Sequence, residues 1–308
     1  MPARIIETRW TEQEAAISAI REQVYIQEQG IAPEDEWDPQ GDAEAIYLLA
    51  FDAEQPVGCV RLLPDGHFGR LAVLKSHRSS GLGAQLVNGI ADIAQREGHP
   101  TLLASAQCSA VGFYQRLGFL IASEFFDDAG IPHLEICKPL NDSAAPAIFS
   151  NHWLLGENSN IHTLASPFDI EGCLLTLLGQ GPLKLQIAIA NPENPLWHNE
   201  RLLDALTRHI RKRHSNPLPI LLGHEQGIND KPLVRLLRRA SSKFDVRVHS
   251  GLTESFWLIG STGWVQQSSD TDARASAHDP RHFNQLQQQF EDLFRTANKA
   301  REMRQLGL

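Results

Sequence analysis

The spacing of apolar residues over the first 140 positions predicts short strands interrupted by helices. Continuous or alternating apolar runs, separated by segments rich in Gly, Pro and Asp, are typical of strands. An apolar residue at every third or fourth position, as at Leu82, Leu86 and Ile90, indicates a helix. Thr11 and Glu14 form a T-x-x-E capping box, which predicts the start of the first helix. The predicted strands are 5–8, 46–51, 57–63, 68–74, 101–105, 120–125 and 133–138, and the predicted helices are 11–30, 82–93 and 109–117.

These elements predict an α/β fold of the mixed α+β kind for the first domain, with a mixed β-sheet flanked by helices. In the second half, strands and helices alternate from residue 166 to residue 249, which suggests an α/β sheet with parallel character. A hairpin around residues 260–263 and a long helix over 281–299 would complete it. We therefore predict an N-terminal domain over 1–140, a linker over 141–150 and a second α/β domain over 151–308.

Charge separates the two halves of this 308-residue chain, whose net charge is −9. Residues 1–149 contain 10 basic and 21 acidic residues, whereas residues 150–308 contain 18 and 16. An acidic first half argues against a nucleic-acid partner and suits an amine or another cation, although a solvated acidic surface explains the acidity equally well. No run approaches the length of a membrane span and no secretion signal opens the chain, so we expect a cytoplasmic protein without a membrane partner.

Neither the cysteines nor the histidines form a recognisable metal motif. The four cysteines lack CxxC spacing and have small or apolar neighbours, which is typical of buried, reduced thiols. Nine of the thirteen histidines lie in the second half, where His209 and His214 would point to different faces of a helix. We therefore predict no metal site.

A glycine-bearing loop lies between a predicted strand and a predicted helix, over residues 78–84. Gly81 and Gly83 lack a Cβ, so their backbone amides can approach an anion closely, and the positive end of the helix adds to the attraction. Arg78 can add a charge-assisted contact. Neither a Walker sequence nor a complete Gly-x-Gly-x-x-Gly sequence is present, which makes nucleoside triphosphates and NAD poor ligands. An ordinary tight turn remains the alternative for such a pair of glycines.

Two segments resemble the GNAT superfamily of N-acetyltransferases. The sequence Arg78-Ser-Ser-Gly-Leu-Gly83 is similar to the family's (Gln/Arg)-x-x-Gly-x-(Gly/Ala) motif, and a Leu-Ala-Val strand precedes it. Residues 106–119 resemble the second motif, in which Phe-Tyr on a short helix is followed by Leu-Gly-Phe. Residues 24–30 and 130–136 resemble a bacterial subgroup that includes ElaA and YjcF-like acetyltransferases. The resemblance covers residues 4–140.

The resemblance implies an acetyltransferase in which acetyl-CoA is the co-substrate and an amine attacks it directly. Backbone amides of Leu71, Ala72 and Val73 would then meet the pantetheine arm and the thioester carbonyl. Tyr114 would protonate the departing thiolate, with packing as its alternative role. The diphosphate would lie on the loop formed by Arg78, Ser79, Ser80, Gly81, Leu82, Gly83 and Ala84.

The general base is harder to assign, because four residues lie in segments that could face the acceptor. These are Glu28, His67, His133 and Glu135, of which Glu28 is our candidate. Glu28 precedes the acidic residues 34–38, which could form an acidic acceptor entrance or simply a solvated loop. Arg61 lies within a predicted strand, where it could form an ion pair beneath the cofactor or face outward, and we favour a structural role for it.

The second half carries no catalytic motif. Residues 244–261 faintly resemble the strand pair of phospholipase D-like domains, but the His-x-Lys sequence that such enzymes need is missing, so a copy of this kind would be degenerate. Basic residues near 208–213 and 235–243 could meet an anionic partner, yet cations at helix C-termini also complement the helix dipole.

From the sequence we therefore expect an enzyme that acetylates a primary amine on a small molecule or a protein, with an appended domain that positions the acceptor or binds a protein partner. The alternative is a protein that senses acyl-CoA without turnover.

Overall fold

The computed structural model describes residues 3–141, 153–211, 216–226 and 231–300. The chain forms two compact units. The first consists of Met1–Ala106 and Tyr114–Ser150, and the second of Gln107–Phe113 and Asn151–Leu308. The predicted linker over 141–150 lies outside the described residues, apart from Asn141. The boundaries of the predicted domains remain a prediction, but seven residues from inside the first predicted domain belong to the second unit.

Although residue 107 and residues 111–113 belong to the second unit, the first predicted domain follows the predicted order of elements. Its strands and helices are β1 (Arg4–Arg9), α1 (Trp10–Arg21), α2 (Pro33–Glu36), α3 (Pro39–Glu44), β2 (Ile46–Asp52), β3 (Gln55–Leu62), β4 (Phe68–Val73), α4 (Leu82–Arg96), β5 (Thr101–Gln107), α5 (Val111–Gln115), β6 (Leu120–Ile121), β7 (Phe126–Asp128) and β8 (Ile131–Pro139). Helix α1 continues into a π-helical segment over Glu22–Glu28.

Two details of the first unit differ from the sequence prediction. Helix α1 is not capped by Thr11 and Glu14, because Glu12 accepts hydrogen bonds from the Arg9 amide and the Thr8 hydroxyl one turn earlier. Of the strand predicted over 120–125, only β6 (Leu120–Ile121) is formed, and the unpredicted strand β7 (Phe126–Asp128) follows it; both pair with β8.

Two small sheets form the first unit. One has the antiparallel order β1-β2-β3-β4, and the other has the order β5-β8-β6 with β7 also on β8. A single parallel bridge between His67 and Leu103 joins the neighbouring strands β4 and β5. Helix α4 buries its predicted apolar stripe, including Leu86 and Ile90, against β2, β3 and β4. The predicted mixed sheet flanked by helices is confirmed.

A buried charge cluster fixes the segment that contains α2 and α3 beneath the sheet. The Arg21 side chain is fully buried and donates hydrogen bonds to the carboxylates of Glu36 and Asp42. Asp42 also accepts from Arg61 and from the Tyr47 hydroxyl, at 2.7 and 2.6 Å. Burial opposes ionisation of Asp42, but the hydrogen bonds from Tyr47, Arg21 and Arg61 together lower its pKa. This cluster gives Arg61 the structural role favoured from the sequence.

The second unit contains one eight-stranded sheet with helices on both faces. Its elements are β9 (His162–Leu164), α6 (Pro167–Gly179), β10 (Leu185–Ile189), α7 (Glu200–Arg211), β11 (Leu218–Leu222), α8 (Pro232–Arg239), β12 (Phe244–Val248), β13 (Ser255–Ile259), β14 (Gly263–Gln267), β15 (Ala273–Ser276), α9 (Pro280–Thr296) and β16 (Asn298–Lys299). The strand order is β16-β12-β11-β10-β13-β14-β15-β9. Strands β10, β11 and β12 are parallel and the remaining pairs are antiparallel, so the predicted second α/β region is confirmed.

Within the second unit, residues 107–113 pack closely on α6. A Cβ at Gly112 would lie 2.5 Å from the Gly179 carbonyl oxygen, which is too close for any side chain. The reciprocal approach is also tight, since a Cβ at Gly179 would lie 2.9 Å from the Ser109 carbonyl oxygen. Two glycines are therefore required at this backbone contact.

All four cysteines are free and buried, as predicted from their neighbours. Among the helices that the structure describes, none combines the length and the hydropathy needed to cross a bilayer.

Candidate active site

The candidate site lies where β4 and β5 separate. Past the His67–Leu103 bridge, β4 makes no further strand pairing on the edge away from β3 within the described residues. Two residues of β4, Arg70 and Leu71, face the single residue Val60 of β3, which forms a β-bulge. Arg70 has a φ of +50°, a left-handed conformation that is uncommon for a residue other than glycine. The residues whose amides are predicted to bind the thioester therefore belong to a strand whose second edge has no strand partner past this bridge.

Side-chain contacts hold the bulge in place. The Arg70 guanidinium donates to the carbonyl oxygens of Asp35 and Glu36, at 3.2 and 2.9 Å. It also lies 3.1 Å from the Glu36 carboxylate. Because Glu36 belongs to the buried charge cluster, the bulge is connected to the best-buried ion pairs of the first unit.

The predicted anion loop presents a row of backbone amides without protein acceptors. In the described chain, the amides of Ser79, Ser80, Gly81, Gly83 and Ala84 donate no hydrogen bond to the protein. The amide of Leu82 donates to the hydroxyl of Ser80, two residues earlier in the same loop, at 3.4 Å. Since α4 runs for fifteen residues from this point, its positive end lies on the same loop.

Backbone conformation explains the first glycine of the loop. Gly81 is the N-cap of α4 and has a φ of +88°, and Ser79 is also left-handed with a φ of +64°. A Cβ at Gly81 would meet no atom within 4 Å, so the glycine is required by its dihedral angle and the space beside it is open. An open, amide-lined loop at a helix N-terminus has the donors and the room that a diphosphate needs.

The structure brings together two predicted site residues that the sequence assigned to different roles. Arg78 donates two hydrogen bonds to Glu28, at 2.6 and 2.7 Å, and its Nε donates to the Val73 carbonyl oxygen at 2.8 Å. The Arg78 hydrogen bonds lower the pKa of Glu28. Glu28 is therefore less basic in this arrangement than a free carboxylate, and both side chains remain more than one-third exposed.

Tyr114 lies on α5 in an aromatic cluster. Its ring contacts Phe68 and Phe119 edge to face, with centroid distances of 5.8 and 5.6 Å. Burial raises the pKa of the Tyr114 hydroxyl, which therefore keeps its proton at neutral pH. Because Phe68 begins β4, the cluster places Tyr114 beside the opened strand.

A second tyrosine, Tyr25, belongs to the same neighbourhood and was missed by the sequence analysis. Burial, followed by the nearby Cys59, Glu36 and Tyr114, raises its pKa. Tyr25 lies in the π-helical segment, a conformation that often occurs at functional sites. The sequence offered one signal, since Tyr25 lies in the segment 24–30 that resembles the family, three positions before Glu28.

The other candidate bases have local partners. His67 lies 3.1 Å from Asp65 at an exposed turn, and His133 Nδ1 is 2.8 Å from the Ile131 carbonyl oxygen. Glu135 accepts a hydrogen bond from Ser105 at 2.6 Å. Of the four candidates, only Glu28 is in contact with the predicted cofactor loop.

The acidic segment 34–38 is divided between structure and solvent. Glu36 is buried with Arg21, and Asp38 pairs with Arg61 at 3.0 Å. Glu34 and Asp35 are exposed. The acidic entrance suggested by the sequence is therefore reduced to these two carboxylates and Glu28.

The two halves of the chain match two different protein families. Residues 18–139 match a family described as an acetyltransferase (GNAT) domain, and residues 167–306 match a domain of unknown function, DUF7931. In the described residues, no group of three or more His, Cys, Asp or Glu side chains is arranged to hold a metal ion.

Several relatives match the first half. The chain is 38% identical over 123 residues to the uncharacterised N-acetyltransferase YjcF of Bacillus subtilis (strain 168). The matched region covers 39% of this chain and 87% of that protein. It is 35% identical over 127 residues to the uncharacterised protein YyaT of the same strain, over 40% of this chain and 86% of that protein. The crystal structure of Escherichia coli ElaA is 21% identical with a TM-score of 0.41, over 44% of this chain and 99% of that chain.

Proposed function

The chain belongs to the GNAT acetyltransferase family through its first domain, and we propose that it transfers an acetyl group from acetyl-CoA to a primary amine by direct attack. The family membership confirms the resemblance predicted from residues 78–83 and 106–119. The observation that carries the proposal is the row of unbonded amides from Ser79 to Ala84 beside the open edge of β4.

The open strand supplies donors where negative charge develops. In the proposed reaction, the amine nitrogen attacks the thioester carbonyl carbon, and the electron pair of the carbonyl double bond moves onto oxygen. Amides of Leu71, Ala72 or Val73 would stabilise this oxygen, because donors that are already oriented favour the transition state over the ground state. The bulge at Arg70 supports this role, since it interrupts the regular pairing of β4 at this point.

The loop binds the other end of the same substrate. The amides of Ser79, Ser80, Gly81, Gly83 and Ala84, with the N-terminus of α4, would accommodate the diphosphate of coenzyme A. This contact supplies binding energy away from the reacting carbon and holds the thioester in position.

Tyr114 is our candidate for the acid in the second half of the reaction. When the carbon–sulfur bond breaks, the electron pair leaves with sulfur, and the Tyr114 hydroxyl would donate its proton to the thiolate. Burial raises the pKa of Tyr114, which keeps the hydroxyl protonated but also makes it a weaker acid, so this role is supported by the position of Tyr114 beside β4 and not by its pKa. The carbonyl double bond re-forms as the sulfur leaves, the positively charged nitrogen of the adduct loses its extra proton, and the Tyr114 phenolate takes up a proton, so the products are a neutral amide and free coenzyme A.

Glu28 would take the proton that the ammonium group of the acceptor must lose before attack. Its pairing with Arg78 opposes this role, because the pair lowers the pKa of the carboxylate. We propose that Arg78 exchanges Glu28 for the diphosphate when acetyl-CoA binds, which would release Glu28 to act as the base. The acceptor would be a small-molecule or protein amine, and the second domain would position it or bind a protein partner.

Thiol release from acetyl-CoA, measured against a panel of primary amines, tests the proposal together with calorimetry of acetyl-CoA binding. Tyr114→Phe should lower kcat about 100-fold with little change in the Kd of acetyl-CoA, because only the acid is removed. Gly83→Glu should abolish binding, because it places a negative charge beside the diphosphate. Asn88→Glu, an exposed position on the same helix, is the matched control and should bind normally.

Each outcome has a distinct meaning. Binding without turnover for any amine would favour the acyl-CoA sensor over the enzyme. Unchanged turnover in Tyr114→Phe would remove Tyr114 from the mechanism, and a parent protein that releases no heat with acetyl-CoA would overturn the whole proposal.

A further inference from the structure

The second domain contains a cavity at the edge of its sheet where the three parallel strands begin. The cavity has a volume of about 430 Å³, within the range of small-molecule sites. Lys184, Leu218 and Lys243 line it immediately before or at the starts of β10, β11 and β12. The end of β13 and residues of α7 and α9 also line it.

The charged groups of this cavity all have the same sign. Its lining includes Lys184 and Lys243, but no aspartate or glutamate among the described residues. Residues 150–308, the half of the chain that contains the cavity, have 18 basic and 16 acidic residues. The charge of the cavity lining is therefore more one-sided than that of the half to which it belongs.

Both lysines are available to a ligand. Lys184 is exposed and Lys243 is half-buried. Neither forms an ion pair or a side-chain hydrogen bond with any described residue, whereas the surface arginines Arg201 and Arg247 of the same unit are both paired. Two unpaired ammonium groups at one cavity can bind an anion without first losing a protein partner.

The remaining lining divides into an apolar wall and a few polar groups. Ile210, Leu258 and Phe283 supply apolar surface, and each of them is buried. Asn216, Ser261 and Gln287 add uncharged hydrogen-bonding groups. An inorganic ion would leave the apolar wall uncovered, so this lining suits a ligand that has an apolar body as well as a charge.

We propose that this cavity binds a small organic anion, in which one acidic group (carboxylate, sulfonate or phosphate ester) is attached to an apolar body. The lysines would contact the acidic group, and the apolar wall would cover the body. The site is independent of the proposed acetyl transfer, because every residue that lines it lies in the second unit.

A fluorescence titration of the full-length protein with 8-anilinonaphthalene-1-sulfonate, with saturating coenzyme A present to occupy the first domain, tests the proposal. The parent should show saturable binding that weakens as salt is added. The double variant Lys184→Gln/Lys243→Gln should bind about tenfold more weakly. Lys299→Gln, which removes an exposed lysine of the same unit outside the cavity, should bind as the parent does.

Competition then separates charge from apolar contact. Phenyl phosphate and phenylacetate should displace the probe, whereas benzylamine and benzyl alcohol should not. Equal affinity in the double variant, equal competition by benzylamine, or a parent with no saturable binding would each overturn the proposal. Circular dichroism of the double variant checks its folding. If the double variant does not fold, the affinities of the single variants Lys184→Gln and Lys243→Gln are compared with that of the parent instead.

Discussion

Two arginines of the first unit pair with carboxylates in very different surroundings. Arg21 is fully buried and bonded to Glu36 and Asp42, whereas the Arg78 side chain is 38% exposed and, among the described residues, is bonded to Glu28 and to a backbone carbonyl oxygen. Removing a buried charge from its partners leaves those partners uncompensated, while an exposed pair is readily replaced by water. Arg21 therefore stabilises the fold of the first unit, whereas the exposed pair leaves Arg78 able to make the exchange of Glu28 for a ligand that we propose.

Substituting each arginine by methionine tests this difference in stability, and the largest effect is expected for Arg21. Arg21→Met should lower the free energy of unfolding by about 3–5 kcal/mol, because Glu36 and Asp42 would remain buried and each would lose one of its two cations, keeping only Arg70 and Arg61. Arg78→Met, the matched variant, should change it by less than about 1 kcal/mol. Urea unfolding followed by circular dichroism measures both. Equal losses in the two variants would contradict the distinction.

The pH dependence of unfolding sharpens the contrast at Asp42. A carboxyl whose pKa is lowered on folding stabilises the protein above its ordinary pKa of 3.8, and this contribution is lost as the pH falls through the folded value. Asp42→Asn should therefore cost about 2 kcal/mol at neutral pH, with the difference from the parent shrinking below pH 3.8. Glu36, whose pKa is raised by burial and further by Asp42, is present in both proteins, so the difference between them reports the removal of Asp42 together with its effect on Glu36.

Asp52→Asn is the control for this titration. Asp52 is 55% exposed and pairs with His77 on the surface at 3.1 Å. Because the pair is exposed, this substitution should change the free energy of unfolding at neutral pH by less than about 1 kcal/mol. A constant difference between the parent and Asp42→Asn across the acid range would show that Asp42 does not titrate as described.

Arg70 connects the two environments, because its side chain reaches the buried cluster while its backbone forms the bulge of the open strand. Arg70→Ala and Arg70→Gly remove the same contacts, but only glycine adopts the φ of +50° without strain. The alanine variant should therefore be less stable than the glycine variant by about 1 kcal/mol in urea unfolding. The reverse order would show that the left-handed conformation is lost with the arginine side chain.

The smallest expected effect concerns the exchangeable pair. Glu28→Gln removes a competitor for Arg78, so acetyl-CoA should bind about threefold more tightly while turnover falls. Glu22→Gln removes an exposed carboxylate from the same π-helical segment and should change neither quantity. Calorimetry and the thiol-release assay measure both. Weaker binding by Glu28→Gln would mean that Glu28 orients Arg78 toward the ligand instead of competing for it.

Local sequence determined much of the first domain. The period of Leu82, Leu86 and Ile90 predicted a helix with one buried face, and the structure has that helix, because burial of one face imposes the spacing directly. Gly81 was identified as a loop residue from the sequence alone. In the structure it has a positive φ, a conformation that glycine adopts without strain. The two motif segments identified the family because they combine such local requirements in a fixed order.

Tertiary structure alone decided the contacts between residues distant in sequence. The pairing of Arg78 with Glu28 spans fifty positions, and nothing near either residue distinguishes it from pairing with another charge. The division of the acidic segment into buried and exposed carboxylates, and the collection of Lys184 and Lys243 at one cavity, depend in the same way on how strands and helices are brought together. Sequence patterns record which face of an element is buried, whereas charge pairing and cavities depend on which elements become neighbours.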